Sequence, residues 1–185
     1  MENVKLKIFP TSANFQKSVG FTLVEILVAV SLYSLIAAAC FVAFVAGNRS
    51  WQVNKVQLEI QQELRKAMDW MIEDLRQSGS SAIVDVPSDG VWYNSITFKM
   101  AEGINNGNIS WSGDVQYDLG GTNSNQLLRQ TDGEEKILAQ NITSLLFRRQ
   151  ASTPESMEIS LTAQKTTPEG QVLTQDLNFQ IKLRN

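Results

Sequence analysis

Few residues in this chain have the type and setting to do chemistry. One is Glu25, set just inside a long apolar run, where residues 17–30 read KSVGFTLVEILVAV. Across 18–48 it is the only charged side chain. An ionisable group deep in a membrane is costly, and such residues are usually functional. Two readings are open from the residues alone. Either Glu25 sits near the interface and snorkels, or it meets a cationic partner in an assembled state.

The remaining inventory excludes more than it offers. The chain has no histidine, so a nucleophilic triad with a histidine base is absent, as are metal sites built on His and Cys. Cys40 is the one cysteine. It allows no intramolecular disulfide and does not reveal a redox compartment. The acids of "DGEE" at 132–135 carry oxygens that suit calcium, but their spacing does not match an EF-hand loop. A solvated acidic turn is the simpler reading. No phosphate-cradling glycine loop occurs. A hydrolase with paired carboxylates needs two facing acids, and no such pair can be named. Arg148 and Arg149 are adjacent on an expected strand, so alternation sends them to opposite faces. With a net charge of -3, the chain lacks the basic surface that a nucleic-acid backbone requires. No cofactor, metal or catalytic residue is expected, and the protein is read as not an enzyme.

The elements around Glu25 set its context. The 185 residues suit roughly one domain. From 26 to 46 nothing is charged, which reaches the ~20 apolar helical residues needed to cross a bilayer. A secretory signal has a shorter apolar core and a small-residue cleavage site. This run is longer, and no Ala-x-Ala site closes it. Lys5, Lys7 and Lys17 outweigh Glu2 before the run, which places the N-terminal side in the cytoplasm by the positive-inside bias. The C-terminal part is then expected on the far side of the membrane.

Beyond Gly47 the helical spacing continues but becomes amphipathic. Val53, Val56, Ile60, Leu64, Ala67, Met71 and Leu75 recur at three and four. Ser78-Gly79 reads as the stop, so one helix is expected over about 22–77, ~80 Å long. Strands are expected at 82–86, 91–100, 109–119, 126–130, 136–139, 142–149, 156–164 and 172–183. "MEISLTA" and "LNFQIKL" alternate apolar and polar residues. "NNGN", "LGGTNSN", "DGEE" and "TPEG" separate the strands as turns. The fold class is α+β, a mostly antiparallel sheet packed on the amphipathic helix. Trp92, Trp111, Phe98 and Phe147 read as core or sheet-face packing.

Gly20 followed by "FTLVE", with Lys17 upstream and a spanning run downstream, resembles the prepilin cleavage motif of type IV pilins and type II secretion pseudopilins. The resemblance implies a pilin-like α+β fold. It implies cleavage between Gly20 and Phe21 by a prepilin peptidase, and N-methylation of Phe21. Glu25 matches the family's glutamate, whose role is to pair with the N-terminal amine of a neighbouring subunit. The implied organisation is a cytoplasmic leader over 1–20, expected from its lack of pattern to be disordered, and a transmembrane and filament-core helix over 21–47. An amphipathic helix over 48–78 and a β-rich domain over 79–185 complete it. Many major pilins carry a proline that kinks the membrane helix. Here that place holds Val42, and no proline occurs over 21–79, which fits a minor subunit better. The later strand patterns resemble the J-type minor pseudopilin of type II secretion and the W-type minor pilin. Implied partners are prepilin peptidase, other minor and major pilins or pseudopilins, an inner-membrane assembly platform and the membrane itself. The rival expectations are a signal-anchored periplasmic binding domain left uncut at Gly20, and an anchored enzyme.

Overall fold

The protein is described by a computed structural model over residues 20–184. The leader expected over 1–20 lies, except for Gly20, outside the described residues. One helix, α1, spans Leu23–Gln77, 55 residues in all. It starts at Thr22, whose carbonyl accepts the first helical bond from the N–H of Ile26 at 3.2 Å. It passes through Gly47 without interruption. The chain divides at that residue into two compact units.

In the first unit the helix has no buried residue, and only Val45 is partly covered. Its two serines do not leave their hydroxyls unsatisfied. Ser31 donates to the carbonyl of Val28 and Ser34 to that of Val30, both at 2.8 Å. Such back-bonding lets a hydroxyl sit in an apolar solvent.

In the second unit Val56, Ile60, Leu64, Ala67, Met71 and Leu75 are buried, the stripe read from their spacing. Each larger side chain contributes roughly 1.5–3 kcal/mol on burial. Packing of this face therefore holds this half of the helix more than intrinsic propensity does.

Eight strands follow: β1 Ser78–Ile83, β2 Ile96–Asn105, β3 Asn108–Gly120, β4 Gln126–Thr131, β5 Glu134–Gln140, β6 Ile142–Gln150, β7 Thr153–Thr166 and β8 Val172–Lys182. They form two antiparallel sheets, ordered β1-β2-β3-β4-β5 and β6-β7-β8. The expected single sheet is thus two. The switch falls at Asn141, alone between β5 and β6 with φ 62, which turns the chain out of the first sheet. Phe98, Val115, Tyr117, Leu127, Phe147 and Ile159 join the helix stripe in one core.

Two hairpins have two-residue turns with φ positive at both places, Asn106-Gly107 (49°, 83°) and Asp132-Gly133 (51°, 84°). This is the type I′ geometry that matches strand twist and favours Asn-Gly and Asp-Gly.

Two sequence expectations need correction. The helix ends at Gln77, before Ser78-Gly79 as read, but the strand expected over 82–86 begins at once, because β1 spans Ser78–Ile83 directly after α1. Gly79 is there for space. A Cβ would lie 2.9 Å from Cη2 of Trp111, so the indole packs against bare backbone. The strand expected over 91–100 begins only at Ile96. Its earlier part crosses to the other sheet, where Tyr93 and Phe147 exchange backbone bonds of 2.8 and 2.7 Å. Asp89 holds that crossing by accepting from the Tyr93 hydroxyl at 2.6 Å and the Val91 N–H at 2.9 Å.

Candidate functional site

The residues singled out in the sequence cluster at the start of α1. Gly20, Phe21 and Thr22 precede the first helical residue, and Phe21 is 84% exposed. The peptide bond between Gly20 and Phe21 therefore lies in non-helical, solvent-exposed chain. Among the described residues nothing requires glycine at position 20. A Cβ there would meet no described atom within 4 Å.

Thr22 and Glu25 contact each other directly. Oε2 of Glu25 accepts from the Thr22 N–H at 2.9 Å and from the Thr22 hydroxyl at 2.9 Å. Oγ1 of Thr22 in turn accepts from the Glu25 N–H at 3.3 Å. This is a reciprocal capping box, in which two otherwise orphaned helix N–H groups are satisfied. A negative side chain in the first turn also complements the positive end of the helix dipole. The signal was present in the sequence as T-x-x-E before an apolar run, and the reading of Glu25 by itself missed it. Both contacts use Oε2. Among the described residues, no hydrogen bond reaches Oε1.

Downstream of the box, α1 is long and apolar enough to cross a membrane, with a mean hydropathy of 2.5 in its most apolar window, none of which is buried. Cys40 is exposed on this stretch.

A second polar centre, missed in the sequence, ties the far end of α1 to the first sheet. Oδ2 of Asp74 accepts from the Tyr117 hydroxyl and from Nε of Arg129, both at 2.7 Å. Arg129 also donates to Oγ1 of Thr131 at 2.8 Å. Asp74 is 6% exposed. Burial, and then the Asp74 charge, push the Tyr117 hydroxyl far above its usual pKa. The hint in the sequence was an acid three residues after Met71, on the apolar stripe itself.

The other candidates fall into structural roles. Arg149 is buried and donates to the carbonyls of Val86 at 3.1 Å and Pro154 at 3.0 and 2.8 Å. Arg148 points to the other face, where it pairs with Glu158 and lies over the Trp92 ring, 4.4 Å from its centre. The two arginines thus share no patch. The acids of 132–135 lie at the β4–β5 turn and are exposed. Among the described residues no group of three His, Cys, Asp or Glu side chains is placed to hold a metal ion.

No protein-family model, curated protein or solved structure matches the chain.

Proposed function

We propose that the chain is a minor pilin or pseudopilin, a structural subunit and not an enzyme. On this reading a prepilin peptidase cuts between Gly20 and Phe21 and methylates the new amine of Phe21. The subunit is then assembled through its helix at the tip of a periplasmic or surface filament, where it helps to prime assembly. It is held beforehand in a bacterial inner membrane, with the N-terminal side cytoplasmic and the β-rich unit periplasmic. The observation that carries the reading is the order of features at 20–47. A glycine with no described atom against it precedes an exposed bond, a capped acid, and an apolar run with no buried residue. Oε1 of Glu25 is the atom available to a neighbouring subunit's ammonium, while Oε2 keeps the helix cap.

The direct test is the intact mass and N-terminal sequence of the protein from cells with and without prepilin peptidase. A chain starting at methylated Phe21, only when the peptidase is present, is expected. A chain uncut in both would overturn the reading.

The capping box favours a second reading, in which Glu25 serves only its own helix and the chain is an unprocessed, signal-anchored periplasmic binding domain. Absence of any cut at Gly20 in the wild-type chain would favour that reading. Glu25→Gln tests the pairing role within the first, because glutamine can also close a capping box but carries no charge. Loss of assembly in that variant, with membrane insertion intact, supports the pairing role. Full assembly would leave Glu25 as a cap alone in a filament subunit.

A further inference from the structure

We propose that the end of the second unit that carries Trp51 docks on phospholipid headgroups. This rests on residues 21–47 lying in a membrane. Trp51 is 70% exposed and follows Gly47 by four residues in the same helix. At 1.5 Å per residue it stands ~6 Å past Gly47, and a headgroup layer is roughly 5–8 Å thick on each side of the hydrocarbon. Tryptophan favours that layer because its ring is apolar and its N–H still finds an acceptor. Beside it runs a mostly apolar groove between Trp51 and Leu58, with Asn54, Lys55, Glu59 and Gln62 along its sides.

The charges at this end point to a phosphate. Arg49 pairs with Glu169 of the β7–β8 turn at 3.3 Å, and Lys165 pairs with Glu59 at 2.7 Å. Both acids are thereby taken up. Lys55 is exposed and lines the groove one turn before Glu59, whose carboxylate feels both Lys165 and Lys55, so two ammoniums share one acid. An indole at that level, with the long stem of Lys55 reaching back toward it from the next turn and a net positive charge around it, suits the glycerol and phosphate level of a phospholipid. A helix from a second copy is a poorer occupant. The apolar face ends at Leu58 and turns to Gln62 and Arg65, too short for a helix seam.

The test uses the full-length protein in vesicles of phosphatidylcholine and phosphatidylglycerol. Spin-labelled lipids carry the quencher either at the headgroup or deep in the acyl chain. The emission of Trp51 is taken as the difference between wild type and Trp51→Phe, a change at an exposed position. The headgroup label should quench that emission about twofold more than the deep label does. Aqueous iodide should quench it weakly, and Lys55→Glu should reduce the headgroup effect. Strong iodide quenching with no effect of either label would overturn the docking. So would stronger quenching by the deep label. Protection from iodide that persists in detergent, with no quenching by either label, would assign the surface to a protein partner. Labelling of Cys40 by a membrane-impermeant maleimide tells the two premises apart. A protected Cys40 with an undocked Trp51 refutes the docking alone, and a reactive Cys40 refutes the membrane span and the docking with it.

Discussion

Glu25 and Asp74 lie on the same helix, one in its first turn and one near its last, and the fold treats them differently. Asp74 is buried, and its partners come from β3 and β4. It sits near the negative end of the helix dipole, where a carboxylate is disfavoured. The guanidinium of Arg129 and the hydroxyl of Tyr117 offset that. Glu25 is exposed, sits where the dipole favours it, and is held by one neighbour, Thr22. A carboxylate with partners from other elements is committed to the fold. One whose contact is local, and uses a single oxygen, keeps capacity for a second partner.

The largest effect on folding is expected at Asp74. Asp74→Ala leaves a largely buried guanidinium and a buried hydroxyl without their acceptor, at a cost of about 3 kcal/mol. Urea unfolding of the β-rich unit, followed by tryptophan emission in detergent-held full-length protein, measures it. An unchanged midpoint would show that the Asp74 network contributes nothing net.

Next is Gly79→Ala, where the new methyl meets the Trp111 ring. Displacing a packed indole costs ~1–3 kcal/mol, read in the same unfolding midpoint. A neutral result would mean that the ring moves freely.

Tyr117→Phe removes one hydrogen bond and should cost about 1 kcal/mol at neutral pH. Its clearer signature is alkaline. The folded state raises the pKa of Tyr117, so its contribution is complete below the unfolded value, about 10. Above that pH the unfolded chain releases the proton and the folded chain keeps it, so stability falls as pH rises. Tyr117→Phe should flatten this part of the loss above about pH 10. Equal slopes in the two proteins would argue against a buried, protonated Tyr117.

The smallest effect is expected at the other end of the helix. Thr22→Ala opens the capping box at a local cost of about 1 kcal/mol. Faster amide exchange in the first turn should report it, with no change in the unfolding midpoint of the β-rich unit. A shifted midpoint would mean that the two ends of α1 are energetically coupled.

Much of this architecture was legible in the sequence because it is written in period and punctuation. The three-and-four spacing over 56–75 marks the buried stripe, and the alternation in 156–164 marks β7. Asn106-Gly107 and Asp132-Gly133 mark tight hairpins. What escaped depends on residues distant in sequence. The helix ends before Ser78-Gly79 as read, but only the position of Trp111 shows why glycine stands at 79 in the strand that follows. Asp74 looks like an interruption of the stripe until Tyr117 and Arg129 are brought to it. The segment around Tyr93 has strand composition, but its partner is Phe147 in the other sheet. The capping box was the exception, local and legible, because Thr22 lies three residues before Glu25. At the candidate site Gly20, Phe21 and Glu25 were singled out from the sequence, and Thr22 was not. Their roles toward other molecules are not properties of one chain's periodicity.

The bridge between Gly79 and Arg184 has a consequence for the order of folding. Most other strand contacts join neighbours across short turns and can zip locally. This one closes a loop around nearly the whole β-rich unit, and loop-closure entropy must be overcome before its hydrogen bonds form. The hairpins are therefore expected to be early events and the latch between the start of β1 and the segment after β8 a late one. Until it closes, the junction between helix and sheet is the open seam of the unit, where a chaperone or a protease would first find its grip.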